Sequence, residues 1–129
     1  LKDRDYVVLE QKRFRPQEKG RLVTAFLERF FERYVEYDFT AGLEGRLDDI
    51  SAGDARYLEV LREFWADFRP RTTDVMGQSP MEVEKALDAY LADHLFPPRA
   101  DGVDPRSCPS CAGGRLALKV GKFGPFISC

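Results

Sequence analysis

The chain has 129 residues and a mass of 14.8 kDa, enough for about one domain and a small appendage. Apolar residues make up 43% and charged residues 33%, which suits a packed core better than disorder. No apolar run reaches the roughly 18–20 residues of a membrane helix, and Leu1-Lys2-Asp3-Arg4-Asp5 lacks the apolar core of a secretory leader. The missing initiator Met and a cysteine at position 129 predict a piece of a longer protein.

The net charge of -2 conceals an uneven distribution. Residues 1–21 carry seven Lys/Arg against four acids, and residues 103–129 carry four against one. The segment between them is strongly acidic. Two basic ends on an acidic body suit phosphate binding, or are ordinary solvated charge.

In chain order, Tyr6-Val7-Val8-Leu9 and Arg13-Phe14-Arg15-Pro16 read as two extended segments of a hairpin, turned at residues 10–12. Tyr6, Val8 and Phe14 are expected on one face, packed on a helix. Apolar pairs then recur every four residues at Leu22/Val23, Phe26/Leu27, Phe30/Phe31 and Tyr34/Val35, which predicts a first helix. Burying several Phe side chains, at about 1.5–3 kcal/mol each, outweighs the surface ion pairs of such a helix. Asp38-Phe39-Thr40 is expected to break it, with Thr40 capping a second helix that Ser51-Ala52-Gly53 ends. A third helix is predicted over 56–68, with Tyr57, Leu58, Leu61, Phe64, Trp65 and Phe68 facing inward and Pro70 closing it. Residues 69–78 then read as a loop. Ser79-Pro80-Met81-Glu82 has the pattern of a capping box and opens a fourth helix to about residue 94. Three prolines in residues 97–107 mark a linker.

The expected fold is therefore mainly α with a short N-terminal β-hairpin, followed by a partial β zinc ribbon. The expected division is a helical part over 1–96, a linker over 97–107 and a truncated ribbon over 108–129.

The ribbon reading rests on the cysteines. Cys108-Pro109-Ser110-Cys111 is a C-x2-C knuckle, and Cys129 follows after 17 further residues. This is zinc-ribbon spacing, and the alternating run 115–120, the turn 121–124 and the strand 125–128 supply its hairpin. Structural zinc takes four ligands, so a fourth is expected beyond Cys129, and a three-ligand ribbon should bind metal weakly and depend on it to fold. His94 reads as a helix-end residue rather than the fourth ligand. Phe123 and Phe126 flank the turn, with Lys119 and Lys122 beside them. Aromatics among cations suit single-stranded nucleic acid; the alternative is that these rings form the ribbon's own small core.

No catalytic constellation or phosphate loop is visible. Asp3-x-Asp5 lacks a third acid for magnesium. The five tyrosines read mostly as core, and the acids around Tyr34 and Tyr37 disfavour a phenolate.

Lys19-Gly20-Arg21-Leu22-Val23-Thr24-Ala25-Phe26-Leu27, Phe30-Phe31, Tyr37-Asp38-Phe39-Thr40-Ala41-Gly42-Leu43-Glu44 and Leu47-Asp48-Asp49-Ile50 together resemble the C-terminal part of the catalytic core of bacterial type IA DNA topoisomerases. Asp3-Arg4-Asp5-Tyr6-Val7 is similar to that family's entry into the hairpin, although Gly more often follows the Arg there. Phe64-Trp65-Ala66-Asp67-Phe68 resembles the end of the core, and Cys108 to Cys129 the start of the first C-terminal zinc ribbon. The resemblance implies a parent enzyme, an isomerase that relaxes negatively supercoiled DNA. It cleaves one strand through a 5′-phosphotyrosyl intermediate and uses Mg2+ held by an acidic Toprim domain. Tyrosine and acids would lie upstream, so this segment alone should be inactive. The resemblance further implies Zn2+ in the ribbon, DNA (preferably single-stranded) as partner, and a monomeric, cytoplasmic, nucleoid-associated protein with no membrane contact. By resemblance Arg4 is a DNA contact; Lys12, Arg13, Arg15, Lys19 and Arg21 extend that set by charge. A zinc-ribbon adaptor for a protein such as RNA polymerase is the competing expectation.

Overall fold

The computed structural model describes residues 1–129. It is mainly helical, with a two-stranded antiparallel hairpin near each end. The chain forms two compact units: Leu1–Arg29 with Pro80–Cys129, and Phe30–Ser79.

In the first unit a short 3-10 turn, Lys2–Arg4, leads into β1 (Val7–Glu10) and β2 (Arg13–Pro16). Leu9 pairs with Phe14 and Glu10 with Arg13, leaving Gln11 and Lys12 as a two-residue turn. Both have positive φ, 47° and 64°, as a turn matched to the strand twist requires. The expected buried face is absent: Phe14 is 62% exposed and all of β2 is solvent-facing. The hairpin is instead tied to the next element by backbone. The Gln17 amide donates to the Tyr6 carbonyl at 2.9 Å. At Gly20 that carbonyl lies so close that a Cβ would collide with it. Helix α1 (Glu18–Phe30) thus carries a glycine in its first turn, where the backbone leading into β1 comes against it.

Helix α5 (Pro80–Tyr90) starts where the Ser-Pro pattern put it, and the one-turn α6 (Ala92–Leu95) follows. Residues 97–107 have no helix or strand, apart from an isolated bridge from Ser107 to Arg115. Strands β3 (Ala117–Gly121) and β4 (Gly124–Ser128) form the second hairpin, and β3 packs on α5. Ala25, Leu87, Phe96 and Leu118 are the buried apolar residues of this unit.

The second unit holds α2 (Glu32–Val35), α3 (Tyr37–Ala52) and α4 (Tyr57–Gly77). The first predicted helix does not run through residue 36: it stops at Phe30, and Phe31 leaves helical geometry at φ -135°. The Arg71 guanidinium donates to the Phe30 carbonyl at that break. Asp38-Phe39-Thr40, expected to interrupt, lies inside α3. Asp38 suits a helix's first turn, and the Phe39 ring packs edge-on to Tyr34 at 5.1 Å. Thr40 does not cap; its hydroxyl faces back to the Glu36 carbonyl at 3.4 Å. Gly53, at φ 87°, ends α3 as its sequence suggests.

Pro70 does not close α4, and 69–78 is mostly helix rather than loop. The reason is a stripe that continues past the proline. Val60, Phe64, Phe68, Arg71 and Val75 recur at helical spacing; Val60 and Val75 are buried, and Phe64 and Phe68 stack at 5.2 Å. Thr72 and Thr73 donate to the carbonyls of Phe68 and Arg69, each at 3.0 Å, across the turn that the proline disturbs. Much of the remaining expected inward face of α4 is open: Tyr57, Leu58, Leu61 and Trp65 are exposed. Tyr37 (94% exposed) and Tyr90 are likewise not core.

Candidate metal centre and nucleic-acid interface

The β3–β4 register pairs Ala117 with Ser128, so Cys129 emerges beside the start of β3. The knuckle is folded onto the same end. The Cys108 amide donates to the Gly114 carbonyl at 3.0 Å, and Ser107 bridges Arg115. The three Sγ atoms of Cys108, Cys111 and Cys129 lie within 4.8 Å of one another, and those of Cys111 and Cys129 are 3.7 Å apart. Zinc–sulfur bonds of about 2.3 Å at tetrahedral angles give sulfur–sulfur edges of about 3.8 Å, so this set fits one face of such a site. Gly114 lines it: a Cβ there would strike the sulfurs of Cys129 and Cys111.

The electrostatics point the same way. Donation from the Ser110 amide, then from the Cys111 thiol, holds the Cys108 thiol below its usual value. Hydrogen bonding to Cys111 and Cys108, followed by their negative charge, pushes Cys129 up to about 11. Three thiolates cannot share this space unaided; a soft divalent cation would relieve their repulsion. His94 is not among the ligand atoms. It sits in α6 with its Nε2 3.8 Å from Glu18. Asp3 and Asp5 join no metal-binding group of three.

The hairpin tip presents an almost fully exposed aromatic ring. Phe123 is 93% exposed in the turn, with the Lys122 ammonium 4.7 Å from its ring centroid; Phe126 is 52% exposed. Lys119, across the ladder from Phe126, is engaged by Glu84 at 2.8 Å. Among the N-terminal cations, Arg4 lies in the 3-10 turn, Lys12 at the first hairpin's tip, and Arg13 and Arg15 on β2. Arg15 and Arg21 have acidic partners at 3.6 and 3.8 Å (Glu10 and Glu18), and Lys19 lies 5.8 Å from the Tyr6 ring centroid. Such exposed pairs are weak and leave the cations available.

Two clusters escaped the sequence reading. Asp67 accepts from both Tyr34 and Arg33 at 2.7 Å; burial, then the bond to Asp67, raises the Tyr34 phenol above its usual range. Glu84 and Asp88 on α5 reach the backbone of β3; in sequence they resemble any solvated helix face.

The sequence profile of the DNA topoisomerase family matches residues 1–62. Over all 129 residues the chain is 62% identical to DNA topoisomerase 1 of Zymomonas mobilis and 48% identical to that of Rickettsia felis. A third relative, DNA topoisomerase 1 of Xylella fastidiosa, is 36% identical over 124 residues. The chain spans 11%, 16% and 13% of these three proteins. Along its whole length the chain is thus similar to one segment of the longer bacterial DNA topoisomerases.

Proposed function

We propose that this chain is a DNA-gripping segment of a type IA DNA topoisomerase and that its two hairpins bind single-stranded DNA. The parent enzyme would relax negatively supercoiled DNA through a 5′-phosphotyrosyl intermediate, with Mg2+ held elsewhere. The observation that carries this reading is the solvent-exposed Phe123 with Lys122 over its ring. A ring open to solvent accepts a stacked base, and the adjacent ammonium meets the phosphate of the same nucleotide. Phe126 extends the platform along β4, and Arg4, Lys12, Arg13, Arg15, Lys19 and Arg21 give a second phosphate-binding surface. Cys108, Cys111 and Cys129 would hold Zn2+, which supplies a structural crosslink at the base of the second hairpin and no chemistry.

The test is binding of a labelled single-stranded oligonucleotide by the 129-residue chain over a salt series. Affinity should fall with salt, with a logarithmic slope of about -0.7 per phosphate contact. Lys122→Ala should lower affinity about equally for all sequences and flatten the slope by about 0.7, since phosphate contacts carry no sequence code. Phe123→Ala should cost about 1–3 kcal/mol at unchanged slope. The chain alone should neither nick nor relax supercoiled plasmid with magnesium present. Absence of binding at low salt, or a nick covalently linked to the chain, overturns the reading.

A further inference from the structure

The face of α5 that meets β3 presents carboxylates rather than a simple apolar seam. The Leu118 amide donates to Asp88 at 2.7 Å and the Val120 amide to Glu84 at 3.0 Å. These two amides lie on the edge of β3 turned away from β4, where a two-stranded hairpin would leave them to water. The spacing is matched. Carboxylates four residues apart on a helix stand about 6 Å apart on one face, and amides two residues apart on a strand edge about 6.6 Å. Each acid has a second, cationic partner. Lys119 meets the other oxygen of Glu84 at 2.8 Å. Arg106 donates to the Asp88 side chain at 3.0 Å, to the Asp88 carbonyl at 3.2 Å and to the Leu116 carbonyl at 3.0 Å. The Arg106 guanidinium also lies 4.0 Å from the Phe96 ring centroid, and Leu118 beside it is buried. None of these bonds involves a cysteine.

We propose that Glu84 and Asp88 are positioning residues, a two-point latch that fixes the β3–β4 hairpin to α5 whether or not the cysteines carry metal. Metal then orders the knuckle, while the strand is held by the helix. This revises the expectation that the hairpin depends on metal to fold. It also gives Lys119 a local role in the latch, distinct from that of Lys122.

Amide hydrogen exchange on the 129-residue chain, with zinc and with a chelator, tests the latch. With chelator, the Leu118 and Val120 amides should remain at least tenfold slower than unstructured amides, while those of Ser110 and Cys111 lose protection. Asp88→Ala and Glu84→Ala should each accelerate exchange at their own partner amide by tenfold or more, in zinc as well as in chelator. Glu84→Gln, which keeps an acceptor, should restore part of the protection at Val120. Protection of α1 amides, in the same compact unit, reports whether a variant has unfolded that unit as a whole. Free exchange of Leu118 and Val120 in chelator-treated wild-type chain overturns the proposal, as does full protection in both alanine variants. DNA binding is not used as a readout, so the outcome is independent of the nucleic-acid reading.

Discussion

Gln11 and Lys12 turn the first hairpin with φ of 47° and 64°, a region that side chains with a Cβ enter at a cost of about 1–2 kcal/mol per residue. Asn-Gly would make the same turn without that cost, so the choice places a lysine at the tip despite the backbone. Lys12→Gly should therefore raise stability by about 0.5–1 kcal/mol, read from the urea midpoint, while weakening oligonucleotide binding by the loss of one cation. Gly114 shows the opposite constraint. Its missing side chain leaves room for two sulfurs, so Gly114→Ala should weaken metal binding by tenfold or more. Cobalt(II) titration, followed by thiolate-to-metal charge-transfer absorption, measures that loss. Neither effect is visible in a residue's type alone. Gln11 and Lys12 look like unremarkable loop residues, and Gly114 is one of two adjacent glycines in a turn.

Among the elements, the ones marked by local signals were legible. The two hairpins, the Ser79-Pro80 helix start, the Gly53 stop and the cysteine knuckle each announce themselves through turn chemistry or spacing. What the sequence concealed was tertiary. Pro70 reads as a stop because it lacks an N–H and crowds the residue before it. The helix persists because Arg71 and Val75, beyond the proline, continue the stripe of Val60, Phe64 and Phe68. Phe31 and Phe39 mislead in the reverse direction: the first continues an apolar rhythm at the point where the helix breaks, and the second sits in a polar run that is helical. Both join an aromatic cluster with Tyr34, Phe64 and Phe68 that no short window contains. Pro70→Ala should restore one helix hydrogen bond and raise stability by about 1–3 kcal/mol, seen as a higher urea midpoint of the helical circular-dichroism signal.

For the molecule as a whole, charge is more paired than composition suggests. Arg99, Arg106, Arg115 and Lys119 each have an acid partner within 3.0 Å, which leaves Lys122 as the cation of the second hairpin facing solvent beside an exposed ring. The candidate site was legible where spacing or composition shows it, in the cysteines and the tip. It was illegible where a helix carboxylate finds a strand amide. Those carboxylates set a pH response. Bonds from Lys119 and the Val120 amide lower the pKa of Glu84; at Asp88 burial opposes the charge, but donation from Arg106 and Leu118 outweighs it and the net shift is again downward. Folded values below the unfolded ones mean that the stabilisation is complete above the ordinary carboxylate range of about 4 and is lost as pH falls through the lowered values. Amide resonances of Leu118 and Val120 should hold steady from pH 7 to about 5 and shift below 4, whereas Glu84→Ala should remove the Val120 transition.

The 21-residue α4 is the longest rod in the molecule, and its weakest rung falls near midspan, where Pro70 leaves the Ala66 carbonyl without its usual donor. A load applied to the two ends of that rod would bend it there first, while the turns on either side moved as stiff levers. Spin labels placed before residue 66 and after residue 73 would reveal such bending as a spread of distances, narrowed in a chain with alanine at position 70.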